Sequence, residues 1–418
     1  MEVVADNKVL AFVSDFKRPE DGSKVRQQAL DALNGMDFPT TRVEEWKYTR
    51  VAKYVKRKYK QVQTTANVDQ FKIADLDAHQ LVFVNGFYDE KASTILEDDT
   101  VSIHKIDELD EGYYTDLMED TEENVFSLIN KGYQTGGVFI QIKKNKKANH
   151  PIHILHVLEG EEVMANARHF IHAEMGSQAE IVTSFASNNA SNGFTNVVLE
   201  GHVETNASIR INKLQTEAKD VLNISNEMFI QDESSNFLIN TVTTGGQLTR
   251  NGLNVIVEGE NCHTEMNGAY LGTEKQHIDN HTIIDQLYSN CTSSESYKGV
   301  MDDKSVGVFN GKVIVRQDAQ KIEAYQSNKN ILLSKGASVN SKPELEIYAD
   351  DVRCSHGSTI GELDEEAIYY LRSRGISKKS AQQLLIAAFI GDILDKIQNE
   401  AVRAHVDQLF LEDFGWRF

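Results

Sequence analysis

From about residue 131 to 347, apolar and polar positions alternate in short runs broken by small polar turns, and no helix of convincing length interrupts them. The turns recur near Gly176-Ser177, Asn206, Ser234-Ser235, Glu260-Asn261 and Asp302-Asp303, the first four 26 to 29 residues apart. Strand pairs flank them, such as 170–174 with 179–184 and 197–203 with 208–214. A coarse repeat built only from strands predicts a β-solenoid or stacked hairpins, in which each rung buries its inward face against its neighbours. A sandwich with long hairpins is the alternative.

The flanking regions read differently. Residues 1–130 mix helical and strand signals. Val9, Phe12, Val13 and Phe16 follow helical spacing, and Ser23 is placed to cap a helix carrying Val25, Ala29, Leu30 and Leu33 that stops at Gly35. Thr41 with Glu44 has the capping-box form and would open a segment containing Trp46 and Tyr48. The run from Leu81 to Val84 predicts a strand that turns at Asn85-Gly86. Residues 348–418 turn helical. Asp364 is an N-cap followed by Glu365 and Glu366, and Arg372, Arg374 and Gly375 close that helix, so charge matches the dipole at both ends. Ser377 opens a second helix, with Leu385, Phe389, Ile393 and Ile397 on one stripe and Ile386, Ile390 and Leu394 on the next. Together they cover more than half the circumference, wider than docking on one domain requires. Leu385, Phe389, Ile390, Ile393 and Leu394 are therefore candidates for meeting another chain; a small helical bundle would also bury them.

Charge narrows the class of partner. The 418 residues carry 43 basic and 63 acidic side chains, a net −20 that repels phosphate backbones and argues against nucleic acid. The first residues lack a basic, then apolar, leader pattern, and the longest apolar stretch, 384–390, is too short for a bilayer, so a cytoplasmic protein off the membrane is expected. Three cysteines, Cys262, Cys291 and Cys354, form no disulfide framework and no C-x-x-C pair.

The sharpest chemical signal is Asp350-Asp351-Val352-Arg353-Cys354-Ser355-His356-Gly357. On a strand, Cys354 and His356 share a face, and thiolate with imidazole suits iron, zinc or an iron–sulfur cluster. Two donors are half of a tetrahedral shell, so the others would come from afar in the chain or from another subunit. The structural alternative is a buried cysteine beside a locally bonded histidine. His150, His153 and His156 look like a cluster, but on a strand His153 and His156 point oppositely, so a structural role is expected. His277 and His281 share a face, with Asp279 and Asp285 near. Cys262 and Cys291 read as packing residues. Nucleophile-elbow, zincin, Walker and dinucleotide-binding patterns are missing, which points to a scaffold rather than an enzyme. A carbohydrate-active β-solenoid enzyme and a purely structural partner without metal contact are the competing classes.

Several ordered motifs then point one way: Tyr297-Lys298-Gly299-Val300, Gly311-Lys312-Val313, Tyr325-Gln326-Ser327-Asn328, Lys342-Pro343-Glu344-Leu345-Glu346-Ile347, the Cys354–His356 segment, and Tyr370-Leu371-Arg372-Ser373-Arg374-Gly375-Ile376. Over its last third the chain resembles the SufB/SufD family of the SUF iron–sulfur cluster assembly system. Glu44-Glu45-Trp46-Lys47-Tyr48-Thr49 and Cys-Ser-His-Gly are similar to the SufD branch of it. The resemblance implies a right-handed parallel β-helix between an N-terminal α/β domain and a C-terminal helical domain. It implies pairing with SufB through the β-helix cores, docking of the SufC ATPase on the C-terminal helices, and hydrolysis of ATP in SufC rather than here. It further implies that His356, with Cys354 beside it, shares a nascent iron–sulfur cluster, assembled transiently from iron and sulfide, with a SufB cysteine. A homodimer is the alternative assembly for the isolated chain. One departure is Gln286, where the family often has a histidine.

Overall fold

Among the described residues, the alternating runs and their flanks form nineteen strands in two sheets. A computed structural model describes residues 7–17, 23–109 and 124–414. The strands are β1 His79–Val84, β2 Phe87–Tyr88, β3 Val101–Lys105, β4 Val138–Ile142, β5 Ile152–Glu161, β6 Met164–Ala173, β7 Gln178–Ser191, β8 Phe194–Val203, β9 Ser208–Gln215 and β10 Leu222–Gln231. They continue as β11 Asn236–Thr243, β12 Leu248–Val257, β13 His263–Gly272, β14 His277–Gln286, β15 Thr292–Met301, β16 Val306–Val315, β17 Ile322–Leu332, β18 Ser338–Ile347 and β19 Val352–Gly361.

Each strand pairs in parallel with the one two places on, so odd strands from β5 build one sheet and even strands from β4 the other. Each turn contributes one strand to each sheet, giving a parallel β-solenoid of about eight turns. The strands flanking a corner therefore lie in opposite sheets, which excludes stacked hairpins. Register follows from the two-residue side-chain period. In β14, Ile278, Asn280, Thr282 and Ile284 face inward, and in β17 Ile322, Ala324, Gln326, Asn328 and Asn330 do.

The corners explain the recurring small polar residues. Gly176, Asn206, Ser234, Asn261, Asn290 and Lys321 all have positive φ and stack along one edge. The amide of each of the first five donates to a carbonyl in the next turn: Gly176 to Thr205 at 3.0 Å, Asn206 to Glu233 at 3.0 Å, Ser234 to Glu260 at 2.8 Å, Asn261 to Ser289 at 3.4 Å and Asn290 to Gln320 at 2.9 Å. Glycine and asparagine tolerate this left-handed conformation best. Asp303, read with this column from the sequence, belongs to the opposite edge with Glu274.

Helical segments cover both outer faces. α1 (Lys8–Phe12), α2 (Lys24–Leu33) and α3 (Val125–Tyr133) pack Val9, Phe12, Leu33, Trp46 and Phe126 onto Met164, Phe194, Leu222 and Leu248 of the even-numbered sheet. Ser23 caps α2 by accepting from the Arg26 amide, as its sequence predicts. The capping box at Thr41 does not form. Val43 precedes a short 3-10 turn at Glu44–Trp46 that no side chain caps, because Trp46 is drawn down onto the sheet, where the Arg250 guanidinium lies 3.9 Å from its ring centroid. On the other face, α4 (Glu365–Ser373), α5 (Lys378–Leu394) and α6 (Glu400–Phe414) follow the solenoid, with Asp364 and Ser377 as the N-caps of α4 and α5. Ile386, Ile390, Ile393 and Leu394 of α5 pack with Val402, Val406 and Phe410 of α6 on Val182, Leu214, Val242 and Val300.

The two ends of the solenoid differ. At the first turn, β2 and β3 run antiparallel to β1 and β4 and cover them. At the last, β18 and β19 each have one strand neighbour among the described residues. Strands of the two sheets extend on both sides of 131–347, since β1 pairs with β5 and β19 with β17.

Candidate functional site

The site is built on that last turn. β19 lies beside β17 with Cys354 opposite Ala324 and His356 opposite Gln326, so both side chains belong to the inward face. The solenoid ends there, and inward no longer means buried. Cys354 is half-buried against the core, whereas His356 is exposed at the mouth of the interior. Across the mouth, the Ser358 hydroxyl donates to that of Ser341 on β18 at 2.8 Å and ties the two sheet edges together. A Cβ built on Gly357 would meet no atom within 4 Å. Burial pushes the Cys354 thiol above its ordinary pKa, so at neutral pH it is held as the weaker ligand form.

Below the mouth the interior is polar. Glu295, Gln326 and His356 occupy the same inward position of successive turns. Gln326 Nε2 donates to Glu295, and both residues are buried. Sequence reading missed this column; the signal for it is the shared place of the three residues in successive repeats.

The other candidates go to structural work. His153 bonds Gln80 at 3.0 Å and Ser184 at 2.8 Å, while His156 faces the other way and meets His169 at 3.2 Å, so the cluster diverges as the alternation requires. His150 pairs with Asp77 at 3.1 Å. His277 lies 2.9 Å from Thr49, and His281 lies 3.1 Å from Asp279, which also binds Arg250 and the Thr49 hydroxyl. That buried cluster clamps the Trp46–Thr49 segment to the solenoid. Cys262 and Cys291 are buried, both thiols on the Gly259 carbonyl at 3.3 and 3.2 Å. Gln286 is buried inside the solenoid. No group of three or more His, Cys, Asp or Glu side chains arranged to hold a metal occurs among the described residues.

Of the candidate partner-binding residues, Ile390, Ile393 and Leu394 are fully committed within the chain, because α6 and the sheet cover α5 from two sides. Leu385 and Phe389 keep accessible surface, and Leu384, Tyr369 and Tyr370 of the same helical region are exposed. Lys298 pins α5 by donating to Asp392 at 2.6 Å and to the Phe389 carbonyl at 2.6 Å.

Fold and site define a class: a parallel β-solenoid that carries a thiol–imidazole pair on its terminal edge strand. Comparison with known proteins makes the assignment specific. The family model described as "SUF system FeS cluster assembly, SufBD core domain" matches residues 156–389, and that for the SufBD protein N-terminal region matches 20–154. The chain belongs to the SufBD family. It is 30% identical to the iron–sulfur cluster assembly protein SufD of Escherichia coli K12, over 91% of this chain and 90% of that one. It is also 30% identical to a SufBD family iron–sulfur cluster assembly protein of Synechocystis, over 92% and 89%. A Plasmodium falciparum protein named SufD is 28% identical over 65% of this chain and 19% of its own. These relatives are named as assembly proteins rather than as enzymes. No helix among the described residues is long and apolar enough to cross a membrane.

Proposed function

We propose that this chain is the SufD-type half of a cluster-building seam, in which β18 and β19 pair with the corresponding end of a SufB-type subunit and His356 supplies one ligand to a nascent iron–sulfur cluster. The observation that carries this reading is the position of His356, exposed on an edge strand at the mouth of the solenoid. Ten-residue strands with free edges are templates for another chain. The opposite end is capped, so association is directed to the end that holds the imidazole. An imidazole with one thiol is half a shell, and the partner's thiolate would complete it. Cys354, held as a thiol by burial, is the secondary donor. In this reading the SufC-type ATPase would dock on the accessible surface of the C-terminal helices, which includes Tyr369, Tyr370, Leu384, Leu385 and Phe389. Nucleotide-driven closure there would move the solenoid pair as rigid bodies and open the seam to iron and sulfide.

His356→Ala in the assembled complex is expected to cut cluster absorbance by about tenfold or more under anaerobic loading with iron(II) and sulfide. Complex assembly and ATP hydrolysis should be unchanged. Normal loading by that variant would remove His356 as a ligand.

A further inference from the structure

The interior beneath His356 carries a column of polar side chains among apolar ones. The first turns are lined by Ile154, Ile181, Phe185 and Ile209, and the middle ones also by Lys213, Ser225, Glu227 and Asn251, which bond one another. The turns just below Cys354 and His356 place Asn280, Thr282, Gln286, Ser293, Glu295 and Gln326 inward beside Phe309, Val313 and Ile322. Among the described residues, Asn280 Nδ2, both side-chain polar atoms of Gln286, Ser293 Oγ, Glu295 Oε1 and Gln326 Oε1 are buried without a hydrogen-bond partner. Such atoms are normally satisfied by ordered water when they line a polar space. Ala324 is the small residue between Ser293 and Cys354. On the facing strand, a Cβ at Gly311 would lie 2.3 Å from Gln326 Nε2 and 3.0 Å from Glu295 Oε2, so only glycine leaves the pair its space.

We propose that this column is a hydrated proton path, and that Glu295 accepts the proton released when hydrosulfide is built into the cluster at His356. The inference rests on His356 being a ligand. The step balances without a redox partner. The S–H bond of iron-bound hydrosulfide breaks, its electron pair stays on sulfur as sulfide, and the proton passes along water beside Gln326 to form an O–H bond on the Glu295 carboxylate. Iron keeps its oxidation state. Glu295 does not itself touch His356; Gln326 stands between them in register.

The surroundings of Glu295 favour this exchange. Thr282 faces it from β14, Phe309 and Gly311 from β16, Met266 from β13 and Gln326 from β17. Its titratable neighbour is Tyr297, kept neutral by burial and by the carboxylates of Glu295 and Glu227. The buried cation inside the solenoid, Lys213, is held by Glu227, Ser225 and Asn251. With no cation paired to it among the described residues, burial pushes the Glu295 carboxyl up to about 7, opposed by the hydrogen bond from Gln326. Near neutral pH it is available in both forms.

The test is anaerobic loading of the complex of this chain with SufB-type and SufC-type partners, using iron(II) and inorganic sulfide, from about pH 6 to about pH 8.5, with each rate divided by the hydrosulfide concentration at that pH because hydrogen sulfide itself ionises in this window. The native rate should rise through one transition near 7. Glu295→Gln should lose the transition and load about tenfold more slowly on the alkaline side. A Glu295→Gln profile that keeps the transition overturns the proposal. His356→Ala, run alongside, separates the two claims: if it blocks loading while Glu295→Gln behaves as native, the ligand stands and the proton acceptor falls. An independent check is infrared titration with carboxyl-labelled glutamate. Because Glu217 is raised to about 7 as well, the expected result is a carboxylic acid band titrating near 7 that is weaker in Glu295→Gln than in the native chain, and equal bands in the two contradict it.

Discussion

At the scale of single residues, the protein buries ionisable groups, inside the solenoid and beneath its covering helices, whose protonation is set by burial, and they pull stability in opposite directions with pH. Burial drives His153 and His169 down to about 3 and His156 well below its ordinary 6.5, so all three are neutral when folded. A lowered histidine stabilises fully above 6.5 and loses that contribution as pH falls, because the unfolded chain takes up the proton. Glu217 and Glu295 are the reverse. Burial raises each from 4.5 to about 7, so the folded state binds the proton, and stability falls as pH rises from 4.5 to 7. Between pH 4.5 and 6.5 the two effects oppose one another. Glu295→Gln should therefore steepen the acid-side loss of stability in that window by about 1.4 kcal/mol per pH unit, measured by urea unfolding across pH. An unchanged slope would show that Glu295 is ionised in the folded chain. Sequence alone could place Cys354 and His356 on one face, because alternation is local. It could not show that Glu295 and Gln326 lie beneath them, since that depends on the stacking of three separate turns.

At the scale of elements, the caps and corners were the most legible features. Ser23, Asp364 and Ser377 cap helices because their side-chain oxygens compete well for the first free amides. Corner residues repeat because a left-handed backbone selects for glycine and asparagine. Thr41 misled for the opposite reason: tertiary contact of Trp46 with Arg250 outweighs a local capping preference. The apolar width of α5 was visible, but not that α6 and the sheet would consume Ile390, Ile393 and Leu394. The unpaired edges of β18 and β19 lead to a further expectation. Adding a SufB-type partner should slow amide hydrogen exchange in residues 338–347 and 352–361, while β2 and β3 at the capped end stay as they were. Protection confined to the capped end would contradict the seam.

At the scale of the molecule, the fold is a stack of parallel turns, helix-covered on both outer faces, closed at one end and open at the other. That asymmetry gives a scaffold a direction, with the ligand, the free edges and the polar interior all meeting at the open end. The repeat pattern foretold the stack. The polarity of its ends was not readable, because it depends on which short strands, β2 and β3, fold back on the first turn. The most direct measurement of the central claim is pulsed electron paramagnetic resonance on the reduced, cluster-loaded complex with this chain labelled by 15N-histidine. A directly bound 15N hyperfine coupling that vanishes in His356→Ala is expected. A cluster signal with no nitrogen coupling, or with one that survives the substitution, would contradict it.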